Sequence, residues 1–140
     1  MIDVVFIDTN VILDVLLERK PFLQNAQRLW SMSESGQIEG VVSAVSFTNI
    51  YYVVRRLASR EQADRAMRVL LTVFHVAAVD DGVLAHAVKS QISDFEDAVQ
   101  DACAVRAGAR CIVTRNERDF ANASVAAISP EAFLSSSNGS

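Results

Sequence analysis

Three short stretches hold the side chains most able to do chemistry: Asp8-Thr9-Asn10, Asp94-Phe95-Glu96-Asp97, and Thr114-Arg115-Asn116 with Asp119-Phe120. They offer mainly oxygen ligands, and oxygen ligation selects a hard cation such as Mg²⁺ or Mn²⁺. Carboxylates converging from separate parts of a chain would hold such an ion. The chemistry that follows is phosphodiester hydrolysis, in which the metal activates a bound water and neutralises phosphate charge. Asp8, Asp97 and Asp119 are the leading candidates as catalytic and metal-binding groups, with Asp94 and Asp101 as further candidates for the ion. Such a cluster suits one ion or two.

Each acid also has an ordinary structural explanation. Asp8 could cap the helix that follows it, although Thr9 or Asn10 could do the same. Asp97 would stand at the third position of a helix capped by Asp94, where the helix dipole favours an acid. That accounts for one acid only. Asp94, Asp97 and Asp101 are spaced three and four apart on one helix face, where like charges cost stability unless a cation offsets them. The run from Thr114 to Phe120 reads equally as a polar loop anchored by Phe120 or as a last carboxylate supported by Thr114 and Asn116. His75, opening an apolar strand, and His86, in mid-helix, are poor catalytic candidates.

The elements that must position these residues follow from periodicity. Residues 3–7 form an apolar run, as in a strand buried on both faces. Helices are predicted over 11–18, 22–35, 43–58 (capped by Ser46 or Thr48), from 59 through 71, around 83–88, and over 96–107 with Gly108 as its stop. Strands are predicted over 38–42, 75–79, 111–113 and 125–128, with a last helical turn over 130–134. Strands alternating with helices predict a parallel sheet covered on both faces, and right-handed crossovers place the strand C-termini along one edge. Ligand groups gather at such edges, and Asp8 and Thr114 both follow strands there. Residues 1–134 read as one domain and 135–140 as a polar, disordered tail.

Composition narrows the function. With 51% apolar residues the 140-residue chain has material for a full core. No apolar run reaches the length of a membrane span, and the N-terminus reads as a strand and not a signal peptide. A cytoplasmic location is expected, with Cys103 and Cys111 as buried free thiols. A net charge of −4 argues against a broad basic surface for duplex DNA. It leaves room for RNA at a locally basic cleft and suits a basic protein partner. Candidate phosphate contacts are Arg55, Arg56, Arg115 and Arg118, each of which could equally be a solvated or ion-paired arginine. Of Phe47, Tyr51 and Tyr52, at least two are expected in the core.

The motifs Asp8-Thr9-Asn10-Val11-Ile12-Leu13-Asp14, Asp94-Phe95-Glu96-Asp97-Ala98 and Ile112-Val113-Thr114-Arg115-Asn116 with Asp119-Phe120 together resemble the PIN-domain ribonucleases, which include the VapC-like toxins of bacterial toxin–antitoxin pairs. The second and third pieces look like one subgroup in particular. The resemblance spans 1–134. It implies a three-layer α/β/α fold with a central parallel sheet of about five strands. It also implies Mg²⁺- or Mn²⁺-dependent cleavage of single-stranded RNA, a homodimer and an antitoxin partner. Asp8, Asp97 and Asp119 match the family's acids, and Thr9, Asn10, Thr114 and Asn116 match polar positions beside them. One position departs: Asn49 stands where the family commonly has Glu in the helix after the second strand. Asn49 would then hold a metal-bound water, Asp94 or Asp101 would compensate, or activity would be weak or lost. The alternatives are therefore an inactive PIN-like module that binds RNA or protein and, further off, a phosphotransfer domain. Asn10 and Thr114-Arg115 speak against the last, since they replace the second Asp of the dehalogenase type and the Lys of the receiver type.

Overall fold

The computed structural model describes residues 2–138. Five strands, β1 (Val4–Ile7), β2 (Glu39–Ser43), β3 (His75–Ala77), β4 (Cys111–Val113) and β5 (Ala127–Ile128), form one sheet in the order β3-β2-β1-β4-β5. Every neighbouring pair is parallel. The helices are α1 (Thr9–Leu16), α2 (Leu23–Glu34), α3 (Ala44–Leu57), α4 (Arg60–Val73), α5 (Asp81–Val88), α6 (Phe95–Ala107) and α7 (Pro130–Asn138), with a short 3₁₀ helix at Glu117–Phe120. This is the expected three-layer α/β/α fold.

Strand alternation sorts the core into two halves. Val5, Ile7, Val42 and Val113 pack on one face with buried residues of α1, α2, α3, α4 and α7. Phe6, Val41 and Ile112 pack on the other with α5, α6 and Phe120. β1 is central, so it is apolar on both faces. Gly40 in β2 has a packing reason, since a Cβ there would lie 2.6 Å from Ser33 Oγ and 2.7 Å from the Phe74 ring. Ser33 Oγ occupies that space, accepting from Gly40 N at 3.3 Å and donating to Val73 O at 2.9 Å.

Several boundaries differ from expectation for local reasons. α1 begins at Thr9 because Asp8 is itself the cap, its Oδ1 accepting from Thr9 N at 2.7 Å. The cap of α3 is Ser43, which accepts from Val45 N, and neither Ser46 nor Thr48. β3 stops at Ala77 because its partner β2 ends at Ser43. β5 is only Ala127–Ile128, because the amides of Ser124 and Val125 turn instead to the Asp101 carboxylate. The tail expected to be disordered from residue 135 is helical to Asn138, as a continuation of α7, and residues 139–140 lie outside those described. Among the described residues no helix is long and apolar enough to cross a membrane.

Candidate active site

Asp8 leaves the C-terminal end of β1, and its backbone N–H donates to Val113 O of neighbouring β4 at 3.0 Å. Its carboxylate is buried and doubly held. Oδ1 accepts from Thr9 N, and Oδ2 accepts from the Thr114 hydroxyl at 2.6 Å. Thr114, fully buried at the end of β4, accepts in turn from Asn116 N at 3.0 Å. The Thr9 hydroxyl donates to Ser46 Oγ at 2.8 Å, joining α1 to α3. Thr114 and Thr9 therefore act as braces at the sheet edge.

α6 delivers the second group of acids to the same edge. Asp94 is its N-cap, accepting from Asp97 N at 3.0 Å. Asp97 and Glu96 are partly buried in the first turn. Gln100, one turn on, lies between the two groups: its Nε2 donates to Asp97 Oδ1 at 3.5 Å, and its side chain also favours the charged form of Asp8. The Asn49 side chain favours the charged form of Glu96. Asp119 sits exposed on the 3₁₀ helix, which buried Phe120 anchors.

The electrostatics show how these acids bear on one another. Burial raises the pKa of Asp8, against the hydrogen bonds from Thr114, Gln100 and Thr9, and the charge of Asp119 raises it further. Asp97 is pushed up to about 7, first by burial and then by the charges of Asp94, Asp8, Asp119 and Glu96. Burial also raises Glu96, opposed by the Asn49 hydrogen bond and reinforced by Asp94 and Asp8. No basic side chain contributes to any of these three shifts. Mutual repulsion without a neutralising cationic side chain is the setting a divalent cation relieves. Two buried oxygens without partners, Gln100 Oε1 and Asn10 Oδ1, add uncommitted oxygen donors. The donor set thus fits a hard cation, although among the described residues no three His, Cys, Asp or Glu side chains already stand as a ready ion-binding group.

Two residues from the predicted set are engaged elsewhere. Asp101 shares a helix with Asp97 but is buried against the loop before β5. Its oxygens accept from Ser124 N at 3.1 and 3.0 Å and from Val125 N at 3.1 Å, so it is set aside as an ion ligand. Arg115 donates to both oxygens of buried Asp14, at 2.7 and 3.1 Å, and lies 3.9 Å over the Phe22 ring. It is a clamp between α1 and the β4 loop, and is set aside as a phosphate contact. Arg55, Arg56 and Arg118 are exposed. Tyr52 is exposed on α3 while Phe47 and Tyr51 pack against the core.

Sequence reasoning did not single out Gln100 or the Asn49–Glu96 contact. Gln100 carried a signal: beside Asp101, it is the one amide on a stretch of α6 otherwise filled by Ala98, Val99, Ala102 and Cys103.

A family model for the PIN domain matches residues 4–118, most of the chain, ending one residue before Asp119. The fold is also similar to solved structures. One is the DNA-bound VapBC of Salmonella typhimurium (TM-score 0.70, 15% identity, covering 93% of this chain and 99% of that one). Another is a toxin–antitoxin complex from Klebsiella pneumoniae (0.69, 19%, 90% and 97%). A third is Mycobacterium tuberculosis VapC20, a sarcin-ricin loop cleaving toxin (0.64, 21%, 77% and 86%). At these identities the likeness is one of fold. No curated protein matches the chain. With the family model covering both sides of the sheet edge at which Asp8, Asp97 and Thr114 meet, the chain belongs to the PIN domain family.

Proposed function

We propose that this chain is a Mg²⁺- or Mn²⁺-dependent endoribonuclease that hydrolyses phosphodiester bonds of single-stranded RNA, and that it is the toxin of a toxin–antitoxin pair. The observation that carries the reading is Asp97, held near neutrality by burial and by four surrounding carboxylates with no basic group among them. Perturbed carboxylates at the edge of a parallel sheet mark a site built for charge that the chain itself does not supply. Asp8, Asp97 and Asp119 would hold the ion. When bound, it would supply an activated water and neutralise charge on the phosphate. Thr114 and Gln100 fix the orientation of the Asp8 carboxylate, and Asn116 fixes Thr114. Glu96, steadied by the Asn49 amide, offers the carboxylate that position 49 lacks. Asn10 supplies a spare oxygen. Arg55, Arg56 and Arg118 are exposed for phosphate contact.

The toxin–antitoxin role rests on the family and on the fold shared with VapBC complexes. A basic antitoxin, a homodimer and membership of the subgroup with Asp-Phe-Glu-Asp and Thr-Arg-Asn motifs belong to the same reading. The test is cleavage of labelled single-stranded RNA in Mg²⁺ or Mn²⁺, with EDTA and Asp8→Asn as controls. Cleavage abolished by both supports the assignment. Cleavage surviving Asp8→Asn points to a contaminant and ends it. RNA binding without cleavage by the parent chain would favour an inactive binding module, the reading that Asn49 supports.

A further inference from the structure

A wide cleft lies outside the acid cluster. It has a volume of about 760 Å³ and runs along α5 to the loop that follows the 3₁₀ helix. Its chemistry is unlike that of the rest of this acidic protein. His86, Lys89, Ser90 and Gln91 line one side, Asn122 and Ser124 the other, and the remaining lining is glycine and alanine. No carboxylate lines it. Lys89 is one of only two lysines in the chain, and among the described residues neither Lys89 nor His86 is ion-paired.

We infer that this cleft is the subsite for a ribonucleotide of the RNA strand flanking the scissile bond, with a phosphate at Lys89 and His86 and a base edge at Gln91 and Asn122. The inference rests on the ribonuclease reading and adds where the strand lies. Three observations support it. Both walls of the cleft adjoin the acidic segments along the chain, since Gln91 precedes Asp94 by three residues and Asn122 follows Asp119 by three. Its volume falls within the roughly 300–1,000 Å³ of small-ligand sites, which suits a nucleotide. Its lining has no apolar side chain larger than alanine, so a protein partner would find little apolar surface to bury, whereas the lysine and amide groups match phosphate and base edges. The far wall is built rather than loose, because Asp101 pins Ser124 and Val125 through their backbone amides.

The test uses the full chain carrying Asp8→Asn, in EDTA, with fluorescence anisotropy on a labelled mixed-sequence single-stranded oligoribonucleotide. Adding Lys89→Ala and His86→Ala together should weaken binding about fivefold or more and reduce the salt dependence by about 0.7 per lost contact. Lys20→Ala, outside the cleft, should change neither. In the cleaving parent, Gln91→Ala or Asn122→Ala should alter the bases preferred beside the cut in a randomised RNA pool. Unchanged affinity and salt slope in the folded double variant would overturn the subsite while leaving the ribonuclease reading intact. A parent chain that neither binds nor cleaves RNA would overturn both.

Discussion

Removing the charge at Asp97 changes stability by an amount set by pH. Its folded pKa of about 7 lies above the ordinary 3.8, so the folded chain binds a proton that the unfolded chain releases. The contribution is favourable below the unfolded pKa and is lost as pH rises through about 7. Asp97→Asn should therefore stabilise the metal-free protein by about 1–2 kcal/mol near pH 8, after screening of a partly exposed group, and by almost nothing near pH 4. Urea unfolding in EDTA at the two pH values measures the difference, and equal differences at both would show that Asp97 is not held near neutrality. Asp101 offers the contrast on the same helix. Asp101→Ala should cost about 1–3 kcal/mol by leaving the Ser124 and Val125 amides without their acceptor. It should not change the metal concentration at half-maximal activity, which a titration would show.

Among the elements, β2 and the helix pair above it are set by one small residue. Gly40→Ala forces a methyl against Ser33 Oγ and the Phe74 ring and should destabilise by about 1–3 kcal/mol, read as a lower midpoint in denaturant. Features of this kind also show what the sequence discloses. Caps and stops are local chemistry, so Ser59, Asp94 and Gly108 were legible as helix boundaries. The placement of Asp8 at a strand end and of Asp97 in the first turn of a helix was legible because those elements are strongly patterned. Asp101 was not, because its partners lie 23 and 24 residues ahead, in a stretch that reads as strand. Arg115 was not, because its partner Asp14 is 101 residues away, in a helix whose own pattern accounts for it. Such pairings depend on which strands become neighbours, and spacing along the chain does not encode that.

For the whole molecule, the cluster of unneutralised acids makes stability a reporter of ion binding. Adding Mn²⁺ at about 100 times its dissociation constant should stabilise the fold by about 2.7 kcal/mol. Asp8→Asn should sharply reduce the effect, and a parent chain whose melting temperature ignores Mn²⁺ and Mg²⁺ would tell against an ion site. The hydrogen bond between Thr114 and Asp8, which closes 106 residues of chain, carries a consequence in time. Asp8 follows β1, yet its brace arrives only with β4 and Asp119 later still, more than a hundred residues further along the chain. A chain still being made thus holds Asp8 without Thr114 or Asp119 beside it. The proposed nuclease would therefore lack its braced site until the chain has been made as far as Asp119.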